Sequence, residues 1–163
     1  MPMSRVTIER AGAADLPAVR AMLEEYAASL GIDLSFQDFV GELRNLPGDY
    51  APPKGDLYIA RFDGVTVGMV AFRGREHGRA EMKRLFVRPA VRGKRVGRAL
   101  VEHVIHQART AGYTHMILDT LPVMQEAQRV YEQFGFRDVA PYYHSPVAGT
   151  RYLELDLRQS TPS

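Results

Sequence analysis

The chain has 163 residues, of which 45% are hydrophobic and 25% charged, and it contains no cysteine. This size and composition are typical of one globular domain with its own core. The lack of cysteine excludes disulfides, thiolate metal ligands and an acyl-cysteine intermediate. No stretch approaches membrane-spanning length, and the start, MPMSRVTIER, lacks an apolar signal segment. We therefore expect a single cytoplasmic domain over residues 1–163.

The first forty residues alternate between strand and helix patterns. Val6 to Glu9 predicts a short strand. Asp15 precedes an apolar stripe with helical spacing, so it is expected to cap a helix that ends at Gly31. Ser35 is expected to cap a second helix, which carries Phe36.

The middle of the chain predicts an antiparallel meander. The segments from Leu57 to Phe62 and from Val65 to Phe72 flank Asp63-Gly64, a strong signal for a two-residue hairpin turn. A polar loop then leads to a strand from Ala80 to Val87, which Pro89 stops because proline cannot donate to the ladder.

The remaining elements include a strand, helix, strand sequence, which predicts a parallel crossover. A helix begins near Val96 and ends at Gly112, and a strand follows from Thr114 to Asp119. The later predicted elements are a helix with Val123, Ala127, Val130 and Phe134 on its apolar face, ended by Gly135, and strands at Phe136 to Val139 and Arg151 to Leu157. We expect a mixed α/β (α+β) sheet of about six to seven mostly antiparallel strands, with helices on both faces.

A basic, glycine-bearing loop carries the strongest functional signal. It joins the Ala80 strand to the Val96 helix, and free N–H groups at a helix start favour phosphate. Basic charge is concentrated there, which favours a compact polyanion over a nucleic-acid backbone. Between residues 83 and 98 there are no acidic residues and seven basic ones: Lys83, Arg84, Arg88, Arg92, Lys94, Arg95 and Arg98.

Two motifs resemble the GNAT superfamily of N-acetyltransferases. The run from Arg92 to Gly97 is similar to the family's acyl-CoA pyrophosphate loop, Q/R-x-x-G-x-G/A, with Arg95 at the inner glycine position. An arginine at this glycine position can still offer its backbone N–H to the pyrophosphate if its φ is negative. The run from Ala127 to Phe136 resembles the family's A-x-x-L-Y-x-x-x-G-F segment, with Met124 where an asparagine is frequent.

The resemblance implies acetyl-CoA as co-substrate, no metal, and a splayed central strand pair that holds the pantetheine arm. The residues implied to bind it are Leu85, Phe86, Val87, Arg92, Gly93, Lys94, Arg95, Val96, Gly97, Arg98, Ala127 and Tyr131. An N–H near Phe86 or Val87 is the implied oxyanion donor.

The implied reaction is direct transfer of an acetyl group to a primary amine. Tyr131 resembles the family's general acid, since a phenol with a pKa of about 10 can protonate a departing thiolate. Glu81 occupies the position of a glutamate base in several family members, acting directly or through water. The alternative reading of Glu81 is a carboxylate paired with nearby arginines, which is equally compatible with the sequence.

The acceptor is a small-molecule or protein amine that the sequence does not identify. By the resemblance, the first two helices and the Tyr142 to His144 loop border its site, which makes Tyr26, Phe36, Tyr142 and His144 candidate substrate contacts. A homodimer is common among such proteins, and direct nucleic-acid binding is not expected.

Other classes fit less well. The motifs G-x-G-x-x-G and G-x-x-x-x-G-K-[ST] are not present. His103 and His106 share a helix face, but no third ligand has motif spacing, so a metal is not expected. A non-catalytic acyl-CoA sensor or interaction module on the same fold remains the alternative.

Overall fold

A computed structural model describes residues 5–31, 33–34 and 38–158. Its longest helices, α1 and α3, pack on opposite faces of one sheet. The helices are α1 (Leu16–Leu30), α2 (Phe39–Arg44), α3 (Val96–Thr110) and α4 (Gln125–Gln133), and 3-10 turns span Ala13–Asp15 and Pro89–Val91. The strands are β1 (Val6–Arg10), β2 (Asp56–Phe62), β3 (Val65–Gly74), β4 (Arg79–Val87), β5 (His115–Thr120), β6 (Arg137–Asp138) and β7 (Arg151–Asp156).

The seven strands have the order β1-β2-β3-β4-β5-β7-β6. Pairing is antiparallel except between β4 and β5, as the predicted crossover requires. The predicted mixed, mostly antiparallel sheet is confirmed. Asp63 and Gly64 have φ values of 52° and 83°, so the predicted tight turn joins β2 to β3 in the left-handed conformation.

The core has two layers, one on each face of the sheet. The first lies under α3, whose buried face follows the predicted helical spacing through Val96, Leu100 and Val104. The second lies under α1 and α2, around Met22, Leu23 and other apolar residues. Each face of the sheet is therefore closed by helices.

Three local predictions were wrong. The carboxylate of Asp15 does not cap α1; it accepts hydrogen bonds from the Gly12 N–H and from Arg61. Val123 lies before α4 and is 68% exposed, because α4 begins only at Gln125. The strand predicted at Phe136 to Val139 is reduced to two residues. The proposed cap Ser35 lies outside the described residues.

Strand β4 contains a bulge that changes which side chains face which layer. The register between β3 and β4 shifts so that Met69 pairs with Phe86 but Ala71 pairs with Lys83. Arg84, inside the shift, has a φ of 61°, a left-handed conformation that is rare outside glycine. The bulge therefore turns Arg84 toward the α1 and α2 layer.

The parallel pairing of β4 with β5 is short. It runs from Arg79 opposite His115 to Glu81 opposite Ile117 and then stops. Beyond that point the strands separate, so the end of β4 has no β5 neighbour and faces an open cleft. Within the described residues, no helix has both the length and the apolar character needed to cross a bilayer.

Candidate active site

A cleft of about 950 Å3 opens where β4 and β5 separate. Leu85, Phe86 and Val87 at the end of β4 form its floor, and residues of α4 that include Ala127 form one wall. The other wall is the loop and first turn of α3, which contribute Arg92, Gly93, Arg95, Val96, Gly97 and Arg98. The cleft thus brings together most of the residues predicted to bind the cofactor.

The start of α3 supplies hydrogen-bond donors to the outer part of the cleft. The N–H groups of Val96, Gly97 and Arg98 lie in the first helical turn, where no carbonyl four residues earlier is available inside the helix. Their partial positive charge adds to the guanidinium groups of the loop. Gly97 lies where an added Cβ would meet only the Val87 side chain, at 3.6 Å, so the backbone is open to close approach.

Arg95 departs from the family's glycine but keeps a glycine-like backbone. Its φ is 63°, so the condition of a negative φ is not met, and the residue forms the N-cap of α3 in the left-handed region. Its side chain is exposed and lines the cleft. The helix start is therefore preserved, at the cost of backbone strain and with the gain of a charge.

Lys94 differs from the other predicted loop residues. Its ammonium stands 5.9 Å from the centre of the Phe62 ring, and its backbone N–H donates to the Val91 carbonyl. It is not among the residues that line the cleft. The structure does not bring Lys94 to the predicted cofactor site.

A small cavity of about 20 Å3 continues inward from the cleft, and both are lined by Tyr26, Leu85 and Met124. Tyr131 lines this inner cavity from α4 and is almost completely buried. Burial, and then the electrostatic interactions with Tyr26 and Asp119, raise the pKa of the Tyr131 phenol, so the hydroxyl keeps its proton at neutral pH.

Lys83 and Arg84 do not belong to the basic loop at the start of α3. Both are buried on the α1 and α2 side of the sheet, and both line the inner cavity. The expectation that all seven cationic residues concentrate at one loop was therefore wrong. Strand alternation turns Lys83 to this face and the bulge turns Arg84 there as well. Arg88, a third of these seven cationic residues, pairs with Glu25 of α1.

Arg84 is engaged by residues of two helices. It forms two hydrogen bonds to Glu42 of α2, and its guanidinium lies 5.6 Å from the ring centre of Tyr26 and 5.3 Å from that of Phe39. Tyr26, a predicted substrate contact, is itself buried and packs edge-on against Phe86. Burial raises the pKa of Tyr26.

Glu81 is buried in a network of hydrogen bonds and charges. Its Oε1 accepts hydrogen bonds from Arg73 at 2.9 Å and Arg75 at 3.5 Å, and its Oε2 accepts one from the Tyr142 hydroxyl at 2.9 Å. The Lys83 ammonium lies 3.9 Å away. These contacts match the reading of Glu81 as a carboxylate paired with arginines, while its role as a base stays a prediction.

Asp119 is a second carboxylate on this face, and sequence reasoning did not identify it. Its Oδ2 accepts a hydrogen bond of 2.5 Å from the Tyr143 hydroxyl, and its Oδ1 lies 3.9 Å from the Lys83 ammonium. Unlike Glu81, it lines the inner cavity with Tyr131. The available signal was strand alternation, because Asp119 shares a face with Ile117, opposite Met116 and Leu118.

The remaining predicted contacts are distributed unevenly. Tyr142 belongs to the network around Glu81, whereas His144 is exposed and Phe36 lies outside the described residues. His103 packs edge-on against Tyr58 at 4.6 Å, on the α3 side of the sheet. In the described part of the chain, no group of three or more histidine and acidic side chains is placed to hold a metal ion.

Comparison with known proteins agrees with this geometry. The Acetyltransferase (GNAT) family matches residues 19–136. An uncharacterized N-acetyltransferase of Schizosaccharomyces pombe is 40% identical over 147 residues, covering 88% of this chain and 89% of the relative.

Solved structures show the same fold. A GNAT acetyltransferase of Staphylococcus aureus superimposes with a TM-score of 0.77 at 19% identity, over 93% of this chain and 99% of the other. A putative acetyltransferase of Salmonella typhimurium, solved with its cofactor acetyl-CoA, gives a TM-score of 0.67 at 22% identity over 98% of both chains.

The fold is that of the GNAT acetyltransferases, which are acyl-CoA-dependent enzymes. The chain belongs to the GNAT family of acetyltransferases, whose members act on amine acceptors.

Proposed function

We propose that this protein transfers the acetyl group of acetyl-CoA directly to a primary amine. One observation carries the proposal: the cleft beside the basic loop at the start of α3 and the inner cavity where Tyr131 lies share Tyr26, Leu85 and Met124 in their linings. Phosphates beside the basic loop and a reacting thioester beside Tyr131 fit this arrangement and its distribution of charge. Acetyl-CoA bound to a protein of the same fold supports this orientation.

The residues of the outer cleft suit the phosphates. The first-turn N–H groups of α3 and the side chains of Arg92, Arg95 and Arg98 are the proposed donors. Arg98 lies over the Phe134 ring at 4.6 Å and donates to Gln133 at 2.8 Å, which holds its guanidinium at the rim of the cleft. The side chain of Lys94 is not a proposed phosphate donor, since its ammonium stands beside Phe62.

In the proposed reaction the amine nitrogen attacks the thioester carbonyl and the carbon–sulfur bond breaks. Tyr131 gives its proton to the departing thiolate and recovers one from the acylated nitrogen or from water. One proton of the acceptor ammonium thus ends on the thiol and the other in solvent. The raised pKa of Tyr131 means that the phenol reaches the reaction protonated and also makes it a weaker acid toward the thiolate.

The first proton of the ammonium passes to a carboxylate on the α1 and α2 face. Glu81 is the base predicted from the sequence, but both its oxygens already accept hydrogen bonds. The contacts favour Asp119, because it lines the inner cavity with Lys83 and Tyr131, and its hydrogen bond from Tyr143 occupies Oδ2. A candidate base must first be within reach of the proton it removes.

The test is thiol release from acetyl-CoA in the presence of a panel of amines, with mass spectrometry of the products. The proposal expects an acetylated amine in amounts equal to the released thiol. Saturable binding of acetyl-CoA with no acetylated product from any amine would contradict it and favour a non-catalytic acyl-CoA sensor. A cytoplasmic location and a homodimer remain predictions.

A further inference from the structure

The inner cavity presents charged groups that acetyl-CoA alone does not require. Lys83 and Asp119 enter it from β4 and β5, beside the Tyr131 ring. The thioester of acetyl-CoA has no ionised group near its reacting carbon. Asp119 is the proposed base, but the buried cation beside it needs another explanation.

Lys83 is the more unusual of the two. Its side chain is 7% exposed, and lysine is almost never so buried unless it is paired. Its Nζ lies 3.9 Å from Glu81 Oε2 and 3.9 Å from Asp119 Oδ1, longer than a hydrogen bond in both cases. An ammonium has three donors, and no acceptor in the described part of the chain lies within hydrogen-bond distance of this one. The donors of Lys83 are available to a ligand.

The charges around Lys83 favour an anionic group. Glu42 neutralises Arg84, and Asp49, which reaches Arg73 at 3.9 Å, lies mostly in solvent. Among the side chains of the site that are 36% exposed or less, positive charge therefore exceeds negative charge. Three such cations face two carboxylates: Lys83, which is buried, and Arg73 and Arg75, which are 31% and 36% exposed, against Glu81 and Asp119.

We propose that the acceptor is an amino acid, or a similarly small amine with a carboxylate a few bonds from its nitrogen, whose carboxylate binds Lys83 and whose ammonium binds Asp119. The inference rests on the proposed acetyl transfer and names its substrate class. The two protein charges are close together, and so are the two charges of an amino acid. The acceptor nitrogen is then held beside Tyr131, at the inner end of the cofactor cleft. The cavity of about 20 Å3 holds roughly one water, so the acceptor enters only as the side chains that line the cavity move apart.

The same arrangement discriminates against other amines. Burial lowers the pKa of Lys83, which reflects the cost of the unsatisfied charge, and an arriving carboxylate removes that cost. A polyamine would instead bring a second positive charge next to Lys83. An uncharged amide would give the Lys83 ammonium no charged acceptor within hydrogen-bond distance.

The experiment compares each of the protein amino acids with its own α-carboxamide as acceptor, scored by thiol release. For the accepted amino acids, one charge-assisted hydrogen bond predicts a preference for the acid over the amide of about 10- to 100-fold in kcat/KM. In Lys83→Met this ratio should fall close to one, because the contact with the substrate carboxylate is lost, whereas loss of the 3.9 Å ion pairs with Glu81 and Asp119 affects acid and amide alike. Lys54→Met, which removes an exposed lysine, is the matched control and should keep the ratio.

The outcomes separate this inference from the proposed function. Amides used as well as acids, or a Lys83→Met enzyme that keeps the preference, would overturn the inference. Turnover of simple aliphatic amines but of no amino acid would overturn it too and leave acetyl transfer standing. No turnover with any amine, despite acetyl-CoA binding, would overturn both. A titration with acetyl-CoA shows whether Lys83→Met is folded. If the variant is not folded, the preference of the wild-type enzyme for the acid over the amide decides the inference.

Discussion

Arg84 donates two hydrogen bonds of 2.8 Å to Glu42, from Nε to Oε2 and from Nη2 to Oε1. The Arg84 side chain is 2% exposed and that of Glu42 is 15% exposed. Burial disfavours the charged guanidinium, but the hydrogen bonds to Glu42 outweigh it, so the pKa of Arg84 is raised. This pair fastens α2, a wall of the proposed acceptor site, to the bulge of β4.

Replacing Glu42 with alanine should therefore destabilise the protein strongly. The change leaves a buried arginine without its partner, which typically costs about 3 kcal/mol. Urea unfolding measures the loss. Glu25→Ala is the matched control, because Glu25 makes the same paired contact with Arg88 at the surface, where about 1 kcal/mol or less is expected. Equal losses in the two variants would contradict the role assigned to burial.

Arg95 offers a test of backbone strain that can be separated from charge. Because its φ is 63°, Arg95→Gly relieves the left-handed strain while Arg95→Ala keeps it, and both remove the guanidinium. Urea unfolding should show the glycine variant to be more stable than the alanine variant by about 1 kcal/mol. If alanine is the more stable of the two, the left-handed start of α3 is wrong.

Arg92 and Lys94 are a matched pair two residues apart, both exposed and both cationic. Arg92 lines the cleft whereas Lys94 stands beside Phe62. Calorimetry at low salt should show that Arg92→Ala weakens acetyl-CoA binding about fivefold, and that Lys94→Ala changes it by less than about twofold. Added salt should shrink the Arg92 effect. An equal loss of acetyl-CoA affinity in both variants would mean that Lys94 also contacts the phosphates.

The two carboxylates of the acceptor side can be told apart by the cost of replacing each with its amide. Asp119→Asn should lower kcat/KM about 100-fold or more, because the amide cannot take up the proton of the acceptor ammonium. Glu81→Gln should lower kcat/KM less than about tenfold, since the amide oxygen can still accept a hydrogen bond from Arg73. The reverse order would make Glu81 the base, as the sequence predicted.

The sequence was informative where structure is local. The spacing of Val96, Leu100 and Val104 predicts α3 because a helix repeats its buried face every three to four residues. The pair Asp63 and Gly64 predicts its turn because two adjacent positive φ values favour those residue types. The cofactor cleft could be predicted from the sequence for the same reason, since its loop and helix start are contiguous in the chain.

The acceptor side could not be predicted in the same way, because it depends on contacts between distant segments. Glu42 and Arg84 are 42 positions apart, and the β4 bulge that turns Arg84 toward Glu42 leaves no mark in the local pattern. Asp119 meets Tyr143 only through the loop before β7, and meets Lys83 only through the parallel register of β4 and β5. Charges assigned from sequence to one loop therefore divide between two sites.

The most direct test of the account compares the wild-type protein with Tyr131→Phe in thiol release, with calorimetry of acetyl-CoA binding on the same preparations. The account predicts that the variant binds acetyl-CoA within about twofold of wild type, because the ring and its packing against Phe136 remain. Turnover should fall about 100-fold or more, because the proton donor to the thiolate is lost. A variant that binds and turns over like wild type would contradict the claim that the inner end of this cleft is where acetyl transfer takes place with Tyr131 as the acid.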